Sequence, residues 1–200
     1  MYDVSVELID YNRSGEQVII EAARTCYASQ GKSNPGSDDL LIRRLIESGH
    51  HAMLEFGWAA FKIRCSRVVS HELVRHRLLS IGMRSQRYVD ESNPDYMIPP
   101  EILDSPNCAY SMYEQAMKLA YATYQSLVES KVPKQIARYC LPNACMTEMV
   151  VAANFREWRH VCKLRCSRKC QPEMQEVANG ILRILKEIAP RVFNDIQPTD

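Results

Sequence analysis

The chain contains neither a GxGxxG string nor a GxxxxGK string followed by serine or threonine, and its seven glycines are scattered. The backbone cradles of the common nucleotide-binding folds are therefore missing, so any bound phosphate must be held by side chains. No run approaches the roughly 18 consecutive apolar residues of a membrane span. The amino terminus, MYDVSVELIDYN, carries acids where a secretory signal would carry a basic region and an apolar stretch. Both absences point to a cytoplasmic chain without a membrane partner. The CxxC pairs of structural zinc sites are also lacking, although eight cysteines are present. Without an export signal these are expected as thiols. Cys162, Cys166 and Cys170 recur every four residues and would line one helical stripe. They read as small buried hydrophobes and no metal is assigned, a metal or iron–sulfur site being the alternative.

What is present is charge in unusual concentration. Lys and Arg number 25 against 24 Asp and Glu, and the formal net charge is only +1. That balance speaks against a long surface tracking a nucleic-acid backbone. Yet Arg75 to Tyr88 reads RHRLLSIGMRSQRY, with four arginines, one histidine and no acid. The wider stretch Arg64 to Arg87 holds Arg64, Arg67, Arg75, Arg77, Arg84 and Arg87 against Glu72. A second segment holds Arg156, Arg159, Lys163, Arg165, Arg168 and Lys169 against Glu157. Guanidinium groups stay charged at physiological pH and match phosphate or carboxylate oxygens two at a time. Either segment alone also reads as a solvated face.

With 200 residues and 46% hydrophobic content the chain is expected to form one domain, residues 1–200, with a real core. Val4, Val6 and Leu8 alternate as a half-buried strand would. Ser14 to Gln17 has capping-box spacing before a helix ending near Tyr27. A second helix is expected over Leu40–Ser48, closed by Gly49. A strand follows over Leu54–Cys65, then a helix over Val68–Leu79 that carries Arg75, His76 and Arg77 near its end. Gly82 is expected to open a turn into an extended segment at Arg87–Val89. A long helix is predicted from Cys108 to Lys131 and a short one over Gln135–Tyr139. Met146–Ala153 reads as a strand, Asn154–Glu157 as a helix start, and Pro172 as the first residue of a last amphipathic helix. Strands and helices do not alternate regularly, which argues against a doubly wound parallel sheet. The class is α/β, of the α+β type.

RHR at Arg75–Arg77, followed by seven residues and then Ser85 and QRY, resembles the RHRx7S signature of flavin-dependent thymidylate synthases. EAARTCY from Glu21, GHHAMLEF from Gly49, ARYCLP from Ala137, and NFREWRHVCKLR leading to CQPE are similar to further segments of that family, in the same order. The resemblance implies a mixed sheet flanked by helices, in a homotetramer whose active sites are shared between neighbouring subunits. It implies methylation of dUMP at uracil carbon 5, with methylenetetrahydrofolate as carbon donor, FAD as hydride carrier and NADPH as reductant.

By the same resemblance Arg75, His76 and Arg77 contact FAD, with Ala52, Glu55, Met83, Asn154, Phe155, Arg156 and His160 as further cofactor positions, and His50 helps arrange the flavin or folate pocket. Glu72, Leu73, Val74, Arg75, Met83, Arg84, Ser85, Gln86, Arg87, Arg138 and Arg165 fall on nucleotide-binding positions. Arg165 is the activating residue: the matching arginine sits against uracil and favours its ionisation at N3. A fixed positive charge in a dry pocket stabilises the enolate that forms as carbon 5 becomes nucleophilic. Ser85 was the natural nucleophile of the signature, but nothing nearby in sequence supplies a base, so its role is to position substrate. Many members carry Asn-Glu at Gly82 and Met83, Ser or Thr at Ala52, and His at Phe56. Those departures keep open a related pyrimidine or a flavin-dependent pyrimidine nucleotide hydroxymethylase, and a rival of another class is an inactive nucleic-acid-binding relative.

Overall fold

The computed structural model describes residues 2–106 and 108–198. Strand β1 (Ser5–Tyr11) leads into helix α1 (Gly15–Cys26). The capping box expected at Ser14 does not form, because the Ser14 side chain makes no cap bond. Asn12 Oδ1 instead accepts from Ser14 N at 3.1 Å. Helix α2 (Pro35–Glu47) begins five residues earlier than the hydrophobic periodicity suggests, because Asn34 and Ser37 form a reciprocal capping box and Pro35 takes the first turn. Gly49, at φ 74°, ends it as expected. Residues 51–56 form a 3₁₀ turn, so β2 (Trp58–Ser66) starts later than Leu54. Helix α3 (Arg67–Leu73), capped by Ser66, ends six residues before the expected Leu79, and Arg75–Arg77 lie in the turn beyond it. Val74 and Leu78 keep helical spacing but are 44% and 73% exposed, so no buried face pays for another helical turn.

Gly82 lies inside β3 (Ser80–Met83), paired with Val150, rather than opening a turn. The turn comes later: Tyr88 N and Val89 N both donate to Ser85 O, so Arg87–Val89 is not extended. The short α4 (Pro100–Leu103) precedes the long α5 (Ala109–Glu129) and the single turn α6 (Lys134–Ala137), which continues as a 3₁₀ turn over Arg138–Cys140. Strand β4 (Met146–Asn154) runs directly into α7 (Phe155–Arg165), where Asn154 Oδ1 caps the helix by accepting from Glu157 N at 2.9 Å. The chain closes with α8 (Pro172–Ile188) and α9 (Pro190–Phe193). All eight cysteines are free thiols. The stripe expected of them is broken, because α7 stops at Arg165, leaving Cys166 as its cap and Cys170 beyond it.

The sheet order is β1-β2-β4-β3. Every pairing is antiparallel, which corrects the mixed sheet implied by resemblance. Successive neighbours run in opposite directions, so no right-handed crossover between parallel strands is required. On one face Ala59, Phe61, Ile63, Cys65, Met149 and Val151 are buried at alternate positions and pack in one cluster with α1, α2, α7, α8 and α9. Trp158 of α7 meets Phe61 edge-on, with ring centroids 5.1 Å apart, and donates Nε1–H to Ala59 O at 2.9 Å. Phe155 packs edge-on against Phe193 and leaves no room for a Cβ on Gly57. This packing fixes the start and the rotation of α7, the helix that carries the second cationic segment.

Candidate active site

Because β2 and β4 are antiparallel, the ends of α3 and α7 meet. Arg165, the last residue of α7, donates from Nη1 to Glu72 Oε2 at 2.6 Å and from Nε to His76 Nε2 at 3.0 Å. A guanidinium with two fixed partners is held in one plane. His76 is buried, with Nδ1 3.8 Å from Glu157 Oε1 and its ring edge-on to His160 at 5.7 Å between centroids. Since Nε2 accepts from Arg165, the network places the imidazole proton on Nδ1, facing Glu157. His76, Glu157 and His160 bring three ligand-type atoms within 4.8 Å of one another. That tautomer, however, turns an N–H and not a lone pair into the space between them. Glu157 was not singled out from sequence; its place three residues after the Asn154 cap was the available signal.

Burial, then the nearby Arg165 charge and His160, push His76 down to about 4 from an ordinary 6.5. A base whose folded pKa lies below its unfolded value binds fewer protons when folded. Stability from this site is therefore full above pH 6.5 and is lost as pH falls toward about 4. The urea midpoint of the wild type should drop through this window by more than that of His76→Asn. Parallel pH profiles for the two proteins contradict the assignment.

The remaining expected positions fall in two further groups. Glu55 and Arg156 form an exposed ion pair at 2.6 Å, with Ala52 on the same 3₁₀ turn. Beside them His51, Leu78, Arg156 and His160 line a cleft of about 470 Å³, within the range of small-molecule sites. His50 is exposed at the start of that turn. Met83 to Arg87 lie at the end of β3: Arg84 N donates to Glu148 O at 2.9 Å, and Ser85 Oγ accepts from Arg87 N at 3.3 Å. That bond makes Ser85 a turn-former. Gln86 is buried, and Arg87 lies over the exposed Tyr88 ring at 5.5 Å. Arg138 is half-buried and donates Nε–H to Gln135 O at 3.2 Å.

Val74, Arg75 and Arg77 are exposed in and beyond the turn after α3. Leu73 and Phe155, expected on nucleotide- and cofactor-binding positions, are fully buried in the core. A further cleft, of about 640 Å³, is lined by apolar groups such as Val18, Ala22, Met53 and Phe56, and none of the arginines lines it.

The family model described as thymidylate synthase complementing protein matches residues 7–191. The flavin-dependent thymidylate synthase of Mycolicibacterium gilvum is 35% identical over 202 residues, covering 92% of this chain and 81% of that protein. The chain belongs to the flavin-dependent thymidylate synthase family. The family enzyme of Geobacter sulfurreducens is 33% identical, covering 98% of this chain and 88% of its own. A crystal structure described as a UMP/dUMP methylase, PolB from Streptomyces cacaoi, bound with 5-Br dUMP, superposes with a TM-score of 0.87 at 24% identity. It spans 97% of this chain and 94% of PolB. This likeness shows the fold that the synthase family member shares with PolB. Among the described residues no helix is long and apolar enough to cross a membrane.

Proposed function

We propose that this enzyme reductively methylates dUMP to dTMP, taking its carbon from methylenetetrahydrofolate and using FAD and NADPH, as a cytoplasmic homotetramer. The observation that carries the proposal is the Arg165 guanidinium, half-buried where the two cationic segments meet and oriented by Glu72 and His76. A preorganised cation in such a place needs no reorganisation when negative charge develops on a uracil ring. PolB, named for action on UMP and dUMP, supports a uracil nucleotide as the substrate class.

The residues present fit a flavin dinucleotide. Arg75, Arg77 and Arg156 are exposed forks suited to pyrophosphate, and the neighbouring cleft of about 470 Å³ receives part of a flat ring system. When bound, FAD supplies the hydride that completes the methyl group. His76 stays neutral and holds Arg165, while Ser85 shapes the turn that presents Arg84 and Arg87. Asn154 and Met149 are five residues apart on β4, so the Glu55–Arg156 group and the Met83–Arg87 group are separated by about 17 Å at strand rise. Such a span supports sites completed by neighbouring copies.

The purified protein should be yellow, with a flavin spectrum that bleaches under NADPH, shifts on adding dUMP, and yields dTMP when the folate donor is present. A hydroxymethylated product would replace the methylation reading. Colourless protein that binds DNA or RNA with steep salt dependence would overturn it altogether.

A further inference from the structure

Two consecutive histidines line two different clefts. His51 lines the cleft of about 470 Å³ in which the flavin ring is placed above, and His50 lines another, of about 450 Å³, formed by the end of α1, the loop after it and α2. Consecutive Cα atoms are about 3.8 Å apart, so one residue of chain separates the two. The second cleft is cationic: Arg24, Lys32 and Arg44 line it with His50, and no Asp or Glu does. Arg24, 5% exposed, is already matched, because Nε and Nη2 both donate to Asp38 Oδ1 and Nη1 donates to Ser29 O. That buried pair fixes the floor of the cleft. Ala28, held at φ 47° in the left-handed region, fixes the turn between the lining residues Tyr27 and Ser29. Lys32 and Arg44 are exposed, and among the described residues neither meets a carboxylate. Arg44 stands nine residues after Pro35 in α2, about 14 Å of helical rise from the loop that carries Lys32. Cations so spread suit carboxylates spaced along a chain better than one compact phosphate. Tyr27, 61% exposed, and Leu41 add apolar surface to the same walls.

We propose that this cleft takes the γ-glutamyl tail of the folate donor, with Lys32 and Arg44 pairing its spaced carboxylates and Tyr27 and Leu41 covering its methylenes. The inference deepens the proposed function and rests on its choice of carbon donor. That donor has a flat ring system at one end and an acidic chain at the other, so a ring seated beside the flavin sends its chain past His50. Each further γ-glutamyl residue adds one carboxylate, and the cleft thereby distinguishes long tails from short ones. These pairs lie away from the reacting atoms, so their effect falls on KM and not on kcat.

The test compares the monoglutamate and pentaglutamate forms of methylenetetrahydrofolate on the flavin-loaded enzyme at saturating dUMP. The wild type should show a KM for the pentaglutamate roughly 3- to 30-fold below that for the monoglutamate, the worth of two exposed charge pairs. Combining Lys32→Gln with Arg44→Gln should erase most of that gap, the change falling on the pentaglutamate KM. Added salt should narrow the gap in the wild type. p-Aminobenzoyl-pentaglutamate, which carries the tail without the pterin ring, should bind the wild type in a calorimetric titration and bind the double variant several-fold more weakly. Equal KM values for the two chain lengths in the wild type overturn the inference, as does a gap that survives the double substitution. A raised KM for NADPH in the variant, with the folate gap intact, overturns it too and gives the cleft to the phosphates of the reductant. If no folate form supports dTMP formation, the proposed function fails instead, and the p-aminobenzoyl-pentaglutamate titration then decides by itself whether the cleft takes such a tail.

Discussion

Arg165→Ala is expected to lower kcat by about 10²- to 10³-fold, the usual cost of removing one fixed charge-stabilising donor, with the bound flavin retained. Three consequences of the geometry add to the loss. The Glu72 carboxylate, now 2.6 Å from nothing, becomes an uncompensated negative charge beside the developing enolate. His76 loses the donor to Nε2 that fixed its tautomer. It also loses a cation that held its pKa down, so its protonation moves toward the ordinary range of 6.5. Residual turnover in the variant should therefore show an acid limb displaced to higher pH. Arg165→Lys should restore little, because an ammonium cannot serve Glu72 and His76 in one plane. Full turnover in Arg165→Ala, measured as dTMP formed per flavin, refutes the activating role.

Trp158→Ala should cost about 3–5 kcal/mol of stability, a large share of the roughly 5–15 kcal/mol that holds a domain together. The side chain is fully buried, packs edge-on against Phe61, and satisfies Ala59 O. Its removal leaves a cavity between sheet and helix and a carbonyl without that donor. Trp158→Phe keeps most of the volume and loses the hydrogen bond, so it should cost less, about 1–2 kcal/mol. Urea titration measures both, and a shift under about 1 kcal/mol for Trp158→Ala contradicts the packing described. The two predictions are linked, since Trp158 and Arg165 lie on one helix and rotation of that helix sets the direction of the guanidinium.

The sequence made strands visible where one face is buried and helices visible where caps are strong. Ala59 to Cys65 alternates because β2 has one inner face, and Asn154 reads as a cap because its side chain is one. Errors arose where local signals met tertiary demands. Gly82 carries the propensity of a turn, but pairing with Val150 holds it in β3. Val74 and Leu78 continue a helical period that has no partner to bury it, so the RHR string sits in a turn. The motif supplied most of the candidate site residues through resemblance. It could not reveal that Glu157 stands behind His76 or that Arg67 crosses to Arg84, because those neighbours are brought together only by the antiparallel register.

Helix α7 presents two faces with different obligations. Trp158, Val161 and Cys162 are sealed inside and Arg156 and His160 look toward the surface, whereas Arg165, half-buried at the end of the helix, lies on the inward side. Any interior change that rolls the helix, even one harmless to folding, swings Arg156 away from Glu55 at its start and Arg165 away from Glu72 at its end. Drift in the hidden residues is thereby policed by the chemistry at the two ends of the helix, and variants selected for altered activity should carry some of their changes where no ligand ever reaches.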